Sequence, residues 1–275
     1  MPEGPEILYW SVLLKKKLAL KYKFDEIKSF TDKPIVVPKD WEGNVLDTGS
    51  KGKLLWLVVS STDKDKKYYM HIHYGITGWL TFEKPESYVK FEFILSNLKT
   101  SKQINLYMED KRRFSKIAIY TEQQHIKIIS KLGVNVFDSD FTLDYFSNII
   151  NNKDTLVAPL LLKQEIFSGI GNYIKNEVMY MGKLKAKIKT SELNDIQIGE
   201  LYNNILFVAY SNLIEMLKDA NIQKYLDKSK LTHMPKKLEI PYEYKIYGRE
   251  TTSDGKKVFK IKVGGRDSYC TKELC

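Results

Sequence analysis

The spacing of apolar and polar positions changes twice along the chain, and this predicts three structural stretches. Just behind the first residues, Ile7, Leu14 and Leu18 recur at helical spacing with Trp10 beside them. Pro5 suits the first turn of such a helix, because its fixed φ is helical and its missing N–H would have no partner there. We therefore predict an amphipathic helix at the N-terminus.

Between about residues 20 and 120 the apolar residues alternate with polar ones or form short runs between turn residues, which is typical of strands. The predicted strands are 53–59, 68–73, 79–82, 89–95, 104–108 and 116–120. This stretch predicts a β-sandwich or barrel of mainly antiparallel strands.

Helical spacing returns after a connecting segment at about 121–140. Thr142 is suited to cap a helix through Phe146 and Ile149, a second helix is predicted at 156–166, and a third begins at Asn172. A longer amphipathic helix is marked by a further apolar set: Ile198, Leu201, Ile205, Val208 and Leu213. The fold class is therefore α+β, with the helices concentrated in the second half of the chain.

The last part of the chain loses the helical period. Segment 219–241 carries several lysines and little periodicity, so we predict a mobile loop. Segments 244–247 and 258–263 are predicted strands, with Ser253-Asp254-Gly255 as a hairpin turn between them. We expect three domains, at 1–125, 126–240 and 241–275.

Composition adds a partner class. Lys and Arg number 44 against 34 Asp and Glu, a net charge of +10 that favours a polyanionic partner, although a lysine-rich proteome explains it equally well. The two cysteines, Cys270 and Cys275, lie at the C-terminus, where two free thiols in a frayed tail are expected. No signal-peptide pattern and no apolar run of about 20 residues is present, so we expect an intracellular protein without a membrane span, nuclear or cytoplasmic placement being open.

Five sequence blocks follow one another in a familiar order: Met1-Pro2-Glu3-Gly4-Pro5-Glu6, Ser50-Lys51-Gly52-Lys53, His73-Tyr74-Gly75-Ile76-Thr77-Gly78, Asp110-Lys111-Arg112-Arg113-Phe114, and the stretch from Leu160 to Tyr173 that contains Ser168-Gly169-Ile170-Gly171-Asn172. With Tyr247-Gly248-Arg249 and Val263-Gly264-Gly265-Arg266 near the end, they resemble the formamidopyrimidine-DNA glycosylase/endonuclease VIII (Fpg/Nei) family. The resemblance implies an N-terminal helix plus β-sandwich domain, a helical domain with a helix–two-turn–helix, a β-hairpin finger, and a DNA cleft.

The resemblance makes Pro2 the nucleophile once Met1 has been removed. An α-amino group titrates near ~7.7–8.0, so a useful fraction is neutral and can attack a sugar C1′ to form an iminium. Glu3 is then the general acid on the sugar ring oxygen, and Glu6 positions or relays protons. Lys53 would complete this group by contacting a DNA phosphate.

The middle blocks imply residues that hold the gap left by an extruded base. Ile76 stands where the family has methionine, and an apolar wedge there replaces lost stacking. Arg112 would contact the orphaned partner base and Phe114 would wedge against the opposite strand. Lys111 replaces the usual proline of this loop, which predicts a less rigid loop.

The later blocks imply phosphate contacts. Gly171 lets backbone amides approach a phosphate at a helix N-terminus, Asn172 adds a side-chain donor, and Lys175 is expected to assist. Arg266 would reach the phosphates around the extruded nucleotide. A zinc finger of this type needs two Cys-x-x-Cys pairs, and Cys270 and Cys275 cannot supply them, so a zincless finger with no metal and no cofactor is expected.

The expected function is a bifunctional DNA glycosylase/AP lyase that removes oxidised bases, pyrimidines more than 8-oxoguanine, and cuts the strand by β,δ-elimination. Its partner would be damaged duplex or single-stranded DNA, bound by a monomer. Two alternatives remain. A non-catalytic DNA-binding module on the same fold needs Lys53, Asn172 and Arg266 but no free amine, and a metal-dependent nuclease needs a carboxylate cluster and a divalent ion.

Overall fold

The computed structural model describes residues 2–32 and 34–275. Its contacts divide the chain into two compact units. The first consists of Met1–Lys131 with Ala220–Tyr225, and the second of Leu132–Asp219 with Leu226–Cys275. None of the helices in the described part of the chain combines the length and the apolar character needed to cross a bilayer.

The first unit opens with helix α1 (Gly4–Leu18) and closes with helix α2 (Glu122–Ile129). Between them run eight strands: β1 (Tyr22–Ser29), β2 (Trp41–Lys51), β3 (Leu54–Ser61), β4 (Lys67–His73), β5 (Trp79–Thr81), β6 (Val89–Asn97), β7 (Gln103–Glu109) and β8 (Lys116–Thr121). The predicted N-terminal helix is confirmed, and its apolar face is fully buried at Ile7, Leu14 and Leu18.

The strands form one antiparallel sheet in the order β5-β7-β6-β1-β2-β3-β4-β8. Its two halves meet at a single paired position, Lys23 opposite Asn44. The core lies where alternate positions of each half are buried, as at Leu55, Ile72 and Phe93. Helix α1 packs on β2, where the Thr48 hydroxyl donates to the Ser11 carbonyl at 2.7 Å. This arrangement confirms the helix-plus-β-sandwich expectation.

All six predicted strands are present, but β1 and β2 were not named among them. In β1 only Tyr22 and Phe24 are buried, and apart from the half-buried Ile27 the rest of the strand carries polar side chains. Strand β2 contains two glycines and register shifts around Val45 that interrupt the alternation. The segment expected as a plain connection also forms α2, where Thr121 caps the helix but only His125 is buried. Because few of their own side chains are buried, these three elements have no clear apolar pattern by which the sequence could predict them.

The second unit contains helices α3 (Leu143–Asn151), α4 (Val157–Leu161), α5 (Asn172–Met181) and α6 (Asp195–Asp219). Strands β9 (Val134–Asn135) and β10 (Phe167–Ser168) form a short parallel pair, and β11 (Val258–Val263) pairs with β12 (Arg266–Thr271) as an antiparallel hairpin. The Thr142 hydroxyl accepts from the Tyr145 N–H at 3.1 Å, so the predicted cap of α3 is confirmed. The start of α5 and the buried face of α6 are also as predicted.

The predicted helix 156–166 is wrong in length, since α4 ends at Leu161. The N–H groups of Ile166 and Phe167 both donate to the Lys163 carbonyl, which turns the chain into β10. Apolar residues continue past the helix because β10 is itself buried at Phe167.

Segment 219–241 contains two short 3-10 helices, Gln223–Tyr225 and Lys228–Leu231. Ile222 is fully buried, and the Tyr210 hydroxyl donates to the Lys230 carbonyl at 2.6 Å. Lys230 also pairs with Asp138. The segment is therefore anchored at several points along its length.

The predicted strand 244–247 is wrong. The N–H groups of Lys245, Ile246 and Tyr247 donate to the Glu177 carboxylate at 2.8–3.0 Å instead of to a neighbouring strand. The hairpin turn is correspondingly at Gly264 and Gly265, both with positive φ, rather than at 253–255. A small turn does form at 253–255, closed by a bridge between Thr251 and Lys257.

The expectation of free thiols in a frayed tail is also wrong, because Cys270 and Cys275 form a disulfide. Cys270 is buried in β12, and the chain then folds back so that the Leu274 carbonyl accepts from the Ala186 N–H at 2.7 Å. This return brings the two cysteine Cα atoms to 5.3 Å. A spacing of four residues in the sequence does not show such a return.

Candidate active site

Pro2 and Glu3 lie directly before α1, and both are buried. The Glu3 N–H donates to Glu6 Oε2 at 2.8 Å, which fixes the second carboxylate against the start of the helix. The N-terminal end of a helix favours negative charge, so the Glu6 carboxylate is stabilised there. The helix therefore holds two acidic side chains beside the predicted nucleophile Pro2.

Lys53 occupies the tight turn between β2 and β3, next to Gly52 with a φ of 58°. The paired positions Lys51 and Leu54 close this turn. Enclosure of the His73 imidazole, followed by the charges of Lys116 and Lys53, lowers the pKa of His73, although the residue keeps an exposed surface. Lys53 thus belongs to a basic cluster with His73 and Lys116.

The loops that carry Ile76 and Phe114 touch each other. Gly75 has a φ of 65°, and a Cβ at this position would lie 2.6 Å from the Phe114 backbone. This approach requires glycine, because any side chain would push the two loops apart. Ile76 and Phe114 therefore line one groove, together with His73.

Asp110 organises the loop around Arg112. Its carboxylate accepts from the Thr77 hydroxyl and the Ser115 N–H, both at 2.6 Å, and from the Arg112 N–H at 3.2 Å. Burial opposes ionisation of Asp110, but the hydrogen bonds from Thr77 and Ser115 outweigh it and lower its pKa. The Arg112 guanidinium lies 5.0 Å from the Phe114 ring centroid, a cation–π contact.

Sequence reasoning missed Lys90, which crosses from β6 to hold the same loop. Its ammonium donates to the carbonyls of Arg113 and Ser115 at 2.6 and 2.5 Å. Lys90 is buried in the strand beside Phe91, and a lysine at such a position was the available signal. Asp110 and Lys90 therefore both hold this loop by hydrogen bonds, although it has Lys111 in place of the proline that would make it more rigid.

Gln164 shapes the turn that leads to Asn172. Its amide donates to the Ile170 carbonyl at 2.8 Å and accepts from the Gly169 N–H at 3.1 Å. Gly171 precedes α5 in an extended conformation, and Asn172 is the first residue of the helix. Asn172 Oδ1 is buried without a hydrogen-bond partner among the described residues. Since rotation of the amide exchanges its oxygen and nitrogen, this position can present an N–H donor to a phosphate.

Helix α5 also holds the strand that carries Arg266. Lys175 is fully buried, and its ammonium donates to the Asp267 carbonyl at 2.8 Å and to the Ser268 hydroxyl at 2.9 Å. Asn176 Oδ1 accepts from the Tyr269 N–H at 2.8 Å. The hairpin turn contacts α4, where a Cβ on Gly264 would lie 2.5 Å from the Pro159 ring. We call the contacts of Lys175 and Asn176 with β12 the α5–β12 clasp.

The family pattern implies zinc in the finger, but the side chains present do not fit it. The two cysteines are joined to each other, and Thr251, Thr252, Ser253 and Asp254 stand where a Cys-x-x-Cys pair is needed. Over residues 2–32 and 34–275, no group of three or more His, Cys, Asp or Glu is arranged to hold a metal ion. Glu177 instead draws the 242–247 segment together, accepting from three backbone N–H groups and from the Tyr242 hydroxyl at 2.6 Å.

The predicted site residues fall on both units. The first unit carries Pro2, Glu3, Glu6, Lys53, Ile76, Arg112 and Phe114, and the second carries Gly171, Asn172 and Arg266. Within the first unit the structure brings two pairs of them together, Glu3 with Glu6 and Arg112 with Phe114. Asn172 begins the helix that binds β12, the strand in which Arg266 stands, but no hydrogen bond joins Asn172 to Arg266 among the described residues.

Known proteins share this layout. Residues 1–117 match the model of the formamidopyrimidine-DNA glycosylase N-terminal domain, and residues 132–220 match the formamidopyrimidine-DNA glycosylase H2TH domain. A formamidopyrimidine-DNA glycosylase of Syntrophomonas wolfei is 25% identical over 282 residues, covering 99% of each chain. One of Arabidopsis thaliana is also 25% identical, over all of this chain and 70% of its own.

Solved structures agree on the fold. The Lactococcus lactis formamidopyrimidine-DNA glycosylase bound non-covalently to DNA with an AP site has a TM-score of 0.74 and 18% identity, covering 98% of this chain and 97% of its own. MutM in complex with DNA containing carbocyclic 8-oxo-G has a TM-score of 0.72 and 20% identity, covering 98% of each chain. Because the two matched domain models together span most of the sequence in the family's order, the chain belongs to the formamidopyrimidine-DNA glycosylase/endonuclease VIII (Fpg/Nei) family.

Proposed function

We propose that this protein is a bifunctional DNA glycosylase and AP lyase that excises oxidised bases through a Schiff base on Pro2. The observation that carries the proposal is the start of α1, where the predicted nucleophile is followed by buried Glu3 and by Glu6 bonded to the Glu3 main chain. A neutral secondary amine with a carboxylic acid beside it has the two groups that base displacement needs.

The mechanism begins with extrusion of the damaged nucleotide from the duplex. Ile76 and Phe114 fill the gap, and Arg112, stacked on Phe114, contacts the orphaned base. The Pro2 nitrogen attacks C1′ and gives up its proton, and the base leaves with the electron pair of the C1′–base bond. Glu3 protonates the ring oxygen, so the C1′–O4′ bond breaks and the sugar ring opens. The nitrogen lone pair then completes a double bond to C1′, which leaves an iminium.

Strand cleavage follows from this iminium. Loss of a proton from C2′ and departure of the 3′ phosphate is the β-elimination, and the δ-elimination then releases the 5′ phosphate. Glu6 relays protons in these steps. Lys53, Asn172 and Arg266 are each proposed to contact a DNA phosphate.

We further propose that oxidised pyrimidines are preferred. The finger has a donor set that does not fit zinc, and Tyr173 follows Asn172, both of which resemble endonuclease VIII more than Fpg. The relatives described above are named for formamidopyrimidine, and one neighbour holds 8-oxo-G DNA, so purine lesions are the competing result. The protein is proposed to act as an intracellular monomer.

The deciding experiment is a panel of duplexes and single strands that carry one lesion each, namely thymine glycol, dihydrouracil, 8-oxoguanine and an abasic site. Base release and strand cleavage are measured separately. We expect release of the pyrimidine lesions and cleavage at the abasic site, both unchanged by EDTA. Faster release of 8-oxoguanine would contradict the preference, and activity that EDTA abolishes would indicate a metal-dependent nuclease.

A further inference from the structure

A groove of about 550 Å³ lies on the first unit, on the face of the sheet opposite the buried Met70 and Ile72. We call it the outer groove and define it by Leu54, His73, Ile76, Phe114, Lys116 and Tyr120. Its volume falls in the range of about 300–1,000 Å³ typical of small-ligand sites. One end is formed by the predicted gap-filling residues, and the other reaches Ile128 of α2.

The floor of the outer groove is set by strand register. His73 pairs with Lys116, and the next residue inward on the same face, His71, pairs with Ala118. Ala118 leaves room above the sheet because its side chain is a single methyl group. Tyr120 stands beyond it, with its ring 4.7 Å from that of His71.

His71 lies in the floor of the outer groove, contacts a second histidine and adds no charge. His71 Nε2 lies 2.8 Å from His125 Nδ1, and the His125 ring stacks on Tyr69 at 4.0 Å. Burial and then the neighbouring His125 lower the pKa of His71 to about 4, so the imidazole is neutral at physiological pH. The groove therefore has an aromatic and apolar interior.

Its rim is basic. Lys116 is exposed, and Lys53 and Lys116 both act electrostatically on His73. The residues that line the groove include no Asp or Glu within the described part of the chain. An aromatic cavity with cations at its edge matches a nucleobase joined to a phosphate.

The groove is not the place where a base is excised. Neither Pro2 nor Glu3 is among the residues that line it, so a base held there does not contact Pro2. Most bases of duplex DNA are paired and stacked and cannot enter a side groove, and the orphaned base opposite the gap is assigned to Arg112. The occupant that fits is an unpaired base next to the gap that Ile76 and Phe114 fill.

We propose that the outer groove binds an unpaired base of single-stranded DNA, stacking it against Tyr120 with its phosphate at Lys116. This rests on the proposed DNA glycosylase function and deepens it, because it makes lesions in single-stranded regions substrates. The groove supplies the binding that the missing complementary strand no longer gives.

The test compares two probes that carry the same tetrahydrofuran abasic analogue, one single-stranded and one in duplex, by fluorescence anisotropy. Tyr120→Leu should weaken single-strand binding about tenfold, the scale of one lost stacked base, and leave the duplex Kd unchanged. Ala118→Leu should weaken single-strand binding in the same way by filling the floor. Tyr120→Phe keeps the ring and should bind like the wild type.

Equal losses on both probes, or no loss on either, would overturn the proposal. Thermal unfolding of each variant shows that the fold is kept, and Tyr120→Phe controls for the site itself. Borohydride trapping on an abasic duplex reports the glycosylase function separately. A protein that fails to trap but loses single-strand binding in Tyr120→Leu would refute the enzyme and leave the groove assignment standing.

Discussion

Two carboxylates of the candidate site have different roles. Glu3 is proposed to donate a proton when the base leaves, whereas Asp110 organises a loop through hydrogen bonds. The first duty was visible in the sequence resemblance. The second was not, because a carboxylate in a basic loop gives no indication of which main-chain groups it accepts from.

Glu3→Gln tests the proton donor. The amide keeps the shape of the side chain but cannot supply a proton, so base release should fall by about 10²–10⁴-fold, the usual contribution of a general acid. Cleavage of a ready-made abasic site should fall much less, because no base has to leave. Asp144→Asn, in the first turn of α3, is the matched control and should change neither rate. Equal loss of both activities would argue for a structural role of Glu3.

Asp110→Asn tests the loop. The Asp110 carboxylate accepts three hydrogen bonds with two oxygens, whereas the amide of asparagine has only one acceptor oxygen. We therefore expect a loss of about 1–3 kcal/mol in the free energy of unfolding, together with weaker binding of abasic DNA. Because the folded state lowers the pKa of Asp110, its contribution is present above the unfolded value of 3.8 and is lost as the pH falls through the folded pKa.

Urea unfolding of wild type and Asp110→Asn at a series of pH values measures this contribution. The difference between the two proteins should be constant at neutral pH and should shrink below about pH 4. A difference that grows on acidification would contradict the assigned direction of the pKa shift.

At the scale of elements, the sequence predicted those whose own apolar pattern is strong. Helix α1 and the buried face of α6 carry a clear helical period, α3 begins at a capping threonine, and the six predicted strands alternate or form short apolar runs. Strands β1 and β2 and the return of the C-terminal tail depend on pairing and contacts with distant residues, which no local pattern contains. Segment 244–247 has the composition of a strand, yet Glu177 satisfies its N–H groups in place of a partner strand.

The candidate site follows the same division. The blocks around Pro2, Ile76 and Asn172 were identified from sequence because they are contiguous. Lys90 is not predicted, and Lys175 is predicted to assist a phosphate contact rather than to hold β12, since each acts on a loop or strand far away in the chain. Their signal was a lysine at a buried position of a strand or helix, which needs the structure to be recognised.

The α5–β12 clasp makes a prediction about Arg266. Lys175→Met removes the bonds to Asp267 and Ser268 and should free the start of β12, so that Arg266 is no longer held for its phosphate. Binding of abasic DNA should weaken about tenfold, the effect of losing a charge-assisted contact. Lys187→Met, on an exposed side chain of the same unit, should have no effect.

A double-mutant cycle distinguishes positioning from general stability. In an Arg266→Gln background, Lys175→Met should add little to the loss in binding, because the residue it positions is already absent. Additive losses would mean that Lys175 acts on DNA binding by some route other than Arg266.

For the molecule as a whole, we expect the net charge of +10 to favour binding to the DNA phosphates. Each phosphate contact releases counterions, so the logarithm of the affinity falls linearly with the logarithm of salt concentration. Lys53→Met should lower the steepness of this line by about 0.9 and weaken binding to all sequences alike. Lys64→Met, in the loop between β3 and β4, is the control and should leave the slope unchanged.

Anisotropy titrations of duplex DNA across a range of KCl concentrations give these slopes. An unchanged slope in Lys53→Met would remove that side chain from the phosphate contacts. It would leave the assignment of Pro2 and Glu3 intact.

The proposal that Pro2 is the nucleophile is tested most directly by identifying the atom of the protein that becomes covalently attached to DNA. The protein is incubated with abasic-site duplex, the iminium is reduced with borohydride, and the adduct is digested and sequenced by mass spectrometry. We expect Met1 to be absent and the sugar remnant to be on the nitrogen of Pro2. Attachment to a lysine, or full turnover by protein that retains Met1, would contradict it.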